Sequence, residues 1–404
     1  MISIEIEENP SGIKQAEIVI GIPSYNEADS IAFTTKKAAQ GLRLYFSQFK
    51  CVIINCDNHS PDGTKEAFFN TPIDVPKIYI STPPGIRGKG NNLRSLFYKV
   101  CQLGAKATIV VDADLKSITP KWIKNLAEPI FNDFVFVSPL YIRHKYDGTI
   151  TNSIAYPLTR ALYGRRIRQP IGGDFAFSDK MAKIYAEGKY WDEMVAQFGI
   201  DVWMTTLAIN KGLPICQSFM GRPKIHKQKD PAKMLGPMFS QVVGTIFDLM
   251  SPFSKNWREV KWSKPTAIHG FGFGEEELPP PVDINQKALY SGFIEGFKGY
   301  ISVWERVLYE PNLHKLKEIK TFSFERFDFP AELWAKILYD FAIAYKDQVV
   351  DKETLLKALI PLYFGKIFSY TKKVARLSIQ EAEEFTENEC MIFEKAKPYL
   401  IERW

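Results

Sequence analysis

Short β-branched runs alternate with amphipathic segments through the first half of the 404-residue chain. The pattern predicts strands and helices in turn: strands at 16–22, 50–57, 77–82, 107–112 and 134–142, and helices at roughly 27–47, 62–70, 90–104 and 119–131. Such alternation is typical of a mostly parallel sheet with helices on both faces. The sequence therefore predicts an α/β fold for this half.

The second half of the chain has a different composition. Residues 255–288 are rich in glycine, proline and acidic residues, which predicts a linker or a draped loop. From 289 to 404, apolar residues recur at three-four spacing, which predicts helices. We therefore expect an α/β domain over 1–254 and an all-α C-terminal domain over 289–404.

Composition excludes several classes of protein. The net charge of +6 comes from scattered basic residues, so we expect no nucleic-acid partner. The five cysteines form no CxxC pair, which favours reduced thiols in a cytoplasmic protein. The acidic N-terminus has no hydrophobic signal region, and no long uncharged apolar window predicts a transmembrane helix.

Polar, turn-forming residues follow four of the predicted strands. They read PSYNE at 23–27, DNHSPDGT at 57–64, TPPGIRGKGNN at 82–92 and DADLKS at 112–117. Open α/β sheets bind ligands beyond the carboxyl ends of their strands. The four loops therefore predict a binding site at one edge of the sheet.

The glycine-rich loop GIRGKGNN matches neither common phosphate motif. Pro83 stands where a Walker loop has its first glycine, Gly90 follows Lys89, and Leu93 replaces the last glycine of a dinucleotide fingerprint. Backbone amides at a helix start, together with a cation, could still hold an anion. A plain tight turn with a solvated lysine is the alternative.

The acid pair Asp112-Ala113-Asp114 directly follows an apolar run. Burying an unpaired carboxylate costs several kcal/mol, so we expect these acids at a strand end facing a positive charge. A hard cation such as Mg²⁺ or Mn²⁺ takes one or two carboxylates and fills its other positions with substrate oxygens and water. His226 is a candidate extra ligand and Lys224 suits phosphate, although a lone histidine is more often structural or solvated.

Together these motifs resemble those of retaining GT-A-fold glycosyltransferases that use nucleotide sugars, above all the mannosylglycerate synthases and next the glucosyl-3-phosphoglycerate synthases. The resemblance is carried by Pro23-Ser24-Tyr25-Asn26-Glu27, the Asp57 loop, Gly88-Lys89-Gly90, Asp112-Ala113-Asp114, QPIGGDF at 169–175, Gly199-Ile200-Asp201 and Lys224-Ile225-His226, in that order.

The resemblance implies roles for individual residues. Donor binding would involve Pro23, Tyr25, Glu27, Asp57, Asn58, Lys89, Asp112, Ala113 and Lys224. Asp114 and His226 would bind Mg²⁺ or Mn²⁺. Acceptor binding would involve Arg143, Thr149, Thr151, Gly172 and Gly173. Asp201 and Lys89 would be catalytic.

Two of these positions also have simple structural explanations. Asn26 could cap a helix whose first turn contains Glu27, where an acid favours the helix dipole. Asp201 could be a solvated acid at a helix start after Gly199. Neither explanation needs a ligand.

Two departures from the family pattern bear on the substrates. Gly148-Thr149-Ile150-Thr151 lacks the phosphate-binding arginine of the phosphoglycerate enzymes, which favours unphosphorylated D-glycerate. Arg143, Lys145 or Arg165 could replace that arginine. The first loop, PSYNE, resembles the glucosyl enzymes, so UDP-glucose and GDP-mannose both stay open as donors.

Three other functions compete with this interpretation. A sugar-1-phosphate nucleotidyltransferase would carry a glycine-rich loop where this chain has PSYNEA. A polyprenyl-phosphate glycosyltransferase would be favoured if GKIFSYTKKVARL at 365–377 lay on a membrane, although burial in the helical domain or in a homodimer is the simpler expectation. A non-catalytic nucleotide-sugar-binding protein is the third alternative.

Overall fold

The computed structural model describes residues 4–226, 231–270 and 277–404, with the backbone alone over 231–235. The strands in this part of the chain are β1 (Ile6–Glu8), β2 (Ile18–Ser24), β3 (Cys51–Asp57), β4 (Lys77–Ser81), β5 (Ala107–Val110), β6 (Phe136–Ile142), β7 (Arg165–Arg166), β8 (Phe175–Ser178), β9 (Ile215–Pro223), β10 (Lys264–Pro265) and β11 (Ala267–His269).

Helices alternate with these strands and then continue alone to the end of the chain. They are α1 (Ile31–Tyr45), α2 (Thr64–Asn70), α3 (Lys89–Leu103), α4 (Pro120–Ala127), α5 (Tyr156–Tyr163), α6 (Asp179–Glu187), α7 (Ile200–Asn210), α8 (Pro231–Met250), α9 (Ser254–Glu259), α10 (Gln286–Val307), α11 (Glu310–Ile319), α12 (Ala331–Lys346), α13 (Lys352–Val374) and α14 (Ile379–Arg403).

The first compact unit comprises Met1–Ile142, Gln169–Lys229 and Thr266–Pro279. It contains a nine-stranded sheet in the order β1-β4-β3-β2-β5-β8-β6-β9-β11. Pairing is parallel except for β1 against β4 and for β8 against its neighbours β5 and β6. The predicted α/β class, with a mostly parallel sheet and an all-α C-terminal region, is therefore confirmed.

Burial of the central strands explains why they read as continuous apolar runs. Every residue of β2 is buried, as are all four of β5. Helix α4 contributes Trp122 and Ile123 to the same core, and both side chains are fully buried. Strands covered on both faces lose the alternation of apolar and polar residues.

The pairing register of strands β2 to β5 places the polar loops at one edge of the sheet. Ser24, the last residue of β2, lies opposite Asp57, the last residue of β3, and Ser81 of β4 also pairs with Asp57. On the other side of β2, Gly21 pairs with Val110 of β5, two residues before Asp112. The predicted convergence of the four loops is confirmed.

The second compact unit comprises Arg143–Arg168, Asp230–Pro265 and Pro280–Trp404. Two buried arginines of this unit bind glutamates of α14. Arg160, 1% exposed, pairs with Glu387 and with Glu394 at 2.8 Å, and Arg168 pairs with Glu383 at 2.7 Å. Because leaving one member of a buried ion pair alone is strongly destabilising, these contacts fix α14 to the unit.

Helix α13 contains the basic stretch considered as a membrane-surface helix. Residues 365–371 of this helix are all buried, and Lys366 forms an ion pair with Glu389. The expectation of burial in the helical region is confirmed. No helix among the described residues is long and apolar enough to cross a membrane.

The predicted linker contains regular structure at its start. Residues 254–269 contain α9, β10 and β11, while 271–276 lie outside the described residues. The compact units interleave along the chain, with 143–168 and 230–265 in the second one. The domain boundaries near 254 and 289 stay predictions.

Lys397 is a buried cation whose effect on stability can be tested. The side chain is 2% exposed and donates to the Val260 carbonyl oxygen at 2.6 Å. Burial lowers the pKa of Lys397 from 10.5 to about 8, against the opposing attraction of Glu394. Between these pH values the unfolded chain binds more protons than the folded one, so stability rises with pH.

We predict that Lys397→Met removes this rise. Between pH 8 and 10.5, the unfolding free energy of the wild type should gain roughly 2 kcal/mol relative to the variant. Urea unfolding at each pH measures the difference, with exposed Lys395→Met on the same helix as control. Parallel pH profiles for wild type and Lys397→Met would contradict the expectation.

Candidate functional site

Three carboxylates and two lysines form a chain of alternating charge in the first unit. Asp112 stands at its centre and uses both carboxylate oxygens. Its Oδ1 lies 2.9 Å from Lys89 Nζ, and its Oδ2 lies 2.6 Å from Lys224 Nζ. Each lysine therefore takes one oxygen of the same acid.

Each lysine also contacts a second carboxylate. Lys89 Nζ lies 3.2 Å from Asp201 Oδ1, and Lys224 Nζ lies 3.1 Å from Asp174 Oδ2. Two backbone carbonyl oxygens complete the set, since Lys89 donates to Gly173 at 3.3 Å and Lys224 to Gly172 at 2.9 Å. Both ammonium groups are thus held from several sides.

Five different elements supply these groups. Lys89 is the first residue of α3, Asp201 the second residue of α7, and Asp112 follows β5 by two residues. Asp174 precedes β8 directly, and Lys224 follows β9 directly. Residues far apart in sequence meet here because all five elements begin or end at one edge of the sheet.

Burial and mutual attraction shift the pKa values of the cluster. Burial alone would lower the pKa of Lys89, but Asp112 and Asp201 raise it above its ordinary value. Burial would raise the pKa of Asp112, but Lys224 and Lys89 hold it well below the usual range. Two lysinium ions and an ionised Asp112 are therefore stable in this site.

Asp201 is a buried member of the cluster, only 8% exposed. Burial raises the pKa of its carboxyl above the ordinary value, against the attraction of Lys89. The alternative prediction, a solvated acid at a helix start, is therefore wrong. The helix position is right, since Asp201 lies in the first turn of α7.

Asp174 is a site residue that the sequence analysis missed. Its side chain is 0% exposed. Its Oδ1 accepts a hydrogen bond from the Asp112 amide at 2.9 Å, and its Oδ2 accepts one from the Tyr141 hydroxyl. One carboxylate thus fixes the backbone at Asp112 and binds Lys224 as well. Its place in the quoted motif QPIGGDF was the available signal.

The backbone brings the segment after Asp114 against the segment that contains His226. An antiparallel bridge pairs Leu115 with His226, and the Lys116 amide donates to the Ile225 carbonyl at 2.8 Å. One carboxylate and one imidazole suit a divalent cation that takes its other ligands from substrate. Among the described residues, no group of three or more acidic, histidine or cysteine side chains is placed to hold a metal.

Asp57 is the shared acceptor of a separate hydrogen-bond network. Its carboxylate accepts hydrogen bonds from the hydroxyls of Ser24 at 2.7 Å, Ser60 at 2.7 Å and Tyr79 at 3.0 Å, and from the Ser60 amide at 2.7 Å. The side chain is 1% exposed. A carboxylate has about four acceptor sites, so protein donors occupy Asp57 fully.

The other predicted donor-binding residues adjoin this network. Asn58 accepts from the Gly88 amide at 2.9 Å and donates to Asn92 at 2.6 Å, which ties the Asp57 loop to the glycine loop. Pro23 and Ala113 are buried. The guanidinium of Arg87 lies 4.7 Å from the centroid of the half-buried Tyr25 ring.

Glu27 is buried and lies before α1 rather than in its first turn. Ser30 is the N-cap residue of this helix, and its hydroxyl donates to Glu27 Oε2 at 2.8 Å. Asn26 has a left-handed φ of 58° and lies four residues before the cap. The expectation that Asn26 caps α1 is therefore wrong.

The start of α3 differs from the predicted anion site. The Gly88 amide donates to the Asn58 side chain, and the amides of Gly90 and Asn91 donate to the carbonyls of Gln197 and Ala196. Because protein oxygens already use these amides, they are not available to an anion. Of the predicted features, only the Lys89 side chain is directed to the cluster.

Gly172 and Gly173 lie in the cluster, whereas the other predicted acceptor residues belong to the second compact unit. There, Arg143 pairs with Asp147 at 2.9 Å, and the Thr149 hydroxyl lies 2.5 Å from the Tyr363 hydroxyl. Thr151 is 4% exposed. Their acceptor role stays a prediction.

No protein-family profile matches the chain. Its sequence is similar to mannosylglycerate synthase of Selaginella moellendorffii, with 25% identity over 224 residues, which are 52% of this chain and 50% of that protein. The chain thus spans about half the length of this curated relative.

Two solved structures of glucosyl-3-phosphoglycerate synthase from Mycobacterium tuberculosis are also similar. The complex with Mn²⁺, UDP and glucosyl-3-phosphoglycerate has a TM-score of 0.45 and 18% identity, covering 58% of this chain and 79% of that one. The complex with Mn²⁺, UDP-glucose and phosphoglyceric acid has a TM-score of 0.42 and 17% identity, covering 57% and 80%.

Gly173 allows a direct test of the packing around Asp112. Its φ is +87°, and a Cβ added there would lie 2.6 Å from both Asp112 Oδ2 and Lys224 Nζ. We predict that Gly173→Ala destabilises the protein by about 2 kcal/mol more than Gly212→Ala. Gly212 has a φ of +66° with open space around it, so it controls for backbone strain. Equal losses in urea unfolding would contradict the role assigned to the ion pair.

Proposed function

We propose that this chain is a metal-dependent retaining glycosyltransferase of GT-A fold. It would move a hexose from a nucleotide sugar, UDP-glucose or GDP-mannose, to a small acidic acceptor, D-glycerate. The sequence similarity to a mannosylglycerate synthase supports the chemistry. The observation that carries the proposal is that Asp112 holds two lysines at the sheet edge. Asp112 lies on the same loop as Asp114.

Lys89 and Lys224 suit an activated sugar because its leaving group is a diphosphate. Both are lysinium ions, 13% and 5% exposed, fixed by carboxylates and carbonyls before any ligand arrives. Each ammonium contacts three protein oxygens, which uses all three of its N–H donors. A diphosphate oxygen would therefore replace one of these contacts at each lysine, and the positive charge would then stabilise the negative charge that develops on the leaving group. We assign both lysines to the diphosphate, with Asp112 facing the ribose or the donor sugar.

Asp114 and His226 are the residues that would hold Mg²⁺ or Mn²⁺. A divalent cation bound there would neutralise charge on the leaving diphosphate. Two protein ligands leave coordination positions for phosphate oxygens and water, which is the usual arrangement for magnesium at phosphate sites. The antiparallel contact between 115–117 and 225–226 supports this assignment.

Asp201 is assigned to positioning rather than to nucleophilic attack. Both of its oxygens lie within 3.3 Å of Lys89 Nζ, so the carboxylate is already engaged. Retention would then arise by attack of the acceptor hydroxyl on the same face of the sugar as the leaving group, with a leaving phosphate oxygen taking the proton. A double displacement through Asp201 is the alternative.

Unphosphorylated glycerate is the preferred acceptor in this proposal. Two of the cations that could replace the missing arginine are engaged within the second unit. Arg143 pairs with Asp147, and Lys145 donates to the carbonyls of Ala375 at 2.8 Å and Leu377 at 2.7 Å. The third candidate, Arg165, lies in strand β7, whose backbone pairs with strand β10 at Lys264. Thr149 and Thr151 are kept as proposed acceptor contacts.

The alternatives differ in how the same residues would be used. Burial of 365–371, within the stretch 365–377, argues against a polyprenyl-phosphate acceptor. A glucosyl-3-phosphoglycerate synthase would prefer the phosphorylated acceptor, and a non-catalytic protein would bind the nucleotide sugar without turnover. Cytoplasmic location and a homodimer formed through the helical region stay predictions.

We predict that Asp114→Ala abolishes metal-dependent transfer, lowering the rate at least about 100-fold, because the diphosphate loses its cation. Transfer from UDP-glucose and from GDP-mannose to glycerate, with and without Mn²⁺, can be followed by mass spectrometry. The exposed Asp179→Ala should keep wild-type activity, and both variants should keep the wild-type melting temperature. Full Mn²⁺-dependent activity in folded Asp114→Ala would contradict the metal assignment.

We also predict that glycerate is a better acceptor than 3-phosphoglycerate by at least about tenfold in kcat/KM, a difference of about 1.4 kcal/mol. The physical reason is that Arg143 and Lys145 already have partners and cannot neutralise an added phosphate at no cost. Competition between the two acceptors in one reaction, read by product mass, measures the ratio. A preference for 3-phosphoglycerate would identify the phosphoglycerate enzyme instead.

A further inference from the structure

The segment 192–199, here called the docking loop, covers the first turn of α3. The Gly90 amide donates to the Gln197 carbonyl at 3.1 Å, and the Asn91 amide donates to the Ala196 carbonyl at 3.0 Å. Free amides at a helix start need acceptors. In this protein the docking loop supplies them from a distant part of the chain.

Close approach of the docking loop explains the two glycines around Lys89. A Cβ added to Gly90 would lie 1.9 Å from the Val195 carbonyl oxygen, and one added to Gly88 would lie 2.3 Å from the Ala196 carbonyl oxygen. Both obstacles are backbone atoms, which cannot rotate away as a side chain could. Only glycine therefore fits at 88 and 90 while the loop is docked.

The docking loop is itself held in shape and leads directly into α7. The Val195 amide donates to Asp192 Oδ1 at 2.7 Å, and the Gly199 amide donates to the Met194 carbonyl at 3.0 Å. The Gln197 side chain donates to the Arg87 carbonyl at 2.9 Å. The loop thus joins both sides of the glycine turn to α7, whose second residue is Asp201.

We propose that the docking loop is the element that positions Lys89 against Asp201, with Gly90 as the point where it docks and Gln197 as a positioning residue. The Lys89–Asp201 contact spans two helix starts, and the backbone bonds at Gly90 and Asn91 set their separation. The catalytic consequence rests on the proposed function. The positioning itself can be measured without any substrate.

Acylation of lysines in the intact protein tests the positioning. The Lys89 side chain is 13% exposed and pairs with Asp112 and Asp201, so we expect slow acylation in the wild type. In Gly90→Ala, displacement of the loop should raise acylation of Lys89 about tenfold. Lys99 is the internal control, because it lies on the same helix, is 7% exposed and pairs with Glu7 away from the loop.

Three outcomes decide the proposal. A rise at Lys89 with Lys99 unchanged supports it. An unchanged Lys89 in a folded Gly90→Ala overturns it, and so does an equal rise at both lysines, which would indicate general loosening. Gly85→Ala, on the same turn with a φ of +84° and open space, should leave Lys89 unchanged because it strains the backbone without a clash.

Gln197→Ala provides a second variant in case Gly90→Ala does not fold. It removes one side-chain hydrogen bond and should raise acylation of Lys89 about threefold, with Lys99 unchanged. No change at Lys89 in this variant would overturn the proposal when Gly90→Ala cannot be studied. Either variant is compared with wild type under identical conditions.

Kinetics separate this inference from the proposed function. If the wild type transfers sugar, the variant with faster Lys89 acylation should lose kcat and kcat/KM about equally, since the lost contact matters in the transition state. If the wild type transfers no sugar, the proposed function fails while the acylation result still decides the positioning. Unchanged kcat in a variant with displaced Lys89 would overturn the catalytic consequence alone.

Discussion

Asp112 binds one lysine on each carboxylate oxygen, and the polar edge of the sheet is arranged around that contact. Without Asp112, each lysine would keep only one carboxylate partner, Asp201 for Lys89 and Asp174 for Lys224. Asp174 fixes the backbone that presents Asp112, and Gly173 leaves the room that the ion pair needs. The cluster therefore depends on residues from both sides of the central acid.

Much of the α/β unit could be predicted because its signals are local. Five apolar runs read as strands, and the helices between them followed from spacing and from turn residues. Strand β8 was missed because FAFS is only four residues long, and nothing local shows that it runs antiparallel between β5 and β6. The short edge strand β1 was missed because charged residues hide its pattern.

Individual site residues could be predicted only where they lie in a recognisable sequence motif. Asp112, Lys89 and Lys224 were found, and the structure brings them together. Asp174 was missed although it lies in the quoted motif QPIGGDF, because roles were assigned only to the two glycines before it. The sequence left both an anion site and a plain turn open at the start of α3, because the acceptors of its amides at 196 and 197 lie more than a hundred residues away.

We propose that Asp114 and His226 bind a divalent cation next to the lysines that would hold the diphosphate of an activated sugar. A crystal structure of the protein with Mn²⁺ and a nucleoside diphosphate, using the anomalous signal of manganese, tests it most directly. We predict a manganese peak within about 2.5 Å of both Asp114 and His226, with a phosphate oxygen at Lys89 or Lys224. A bound nucleotide whose manganese lies away from both residues would contradict it.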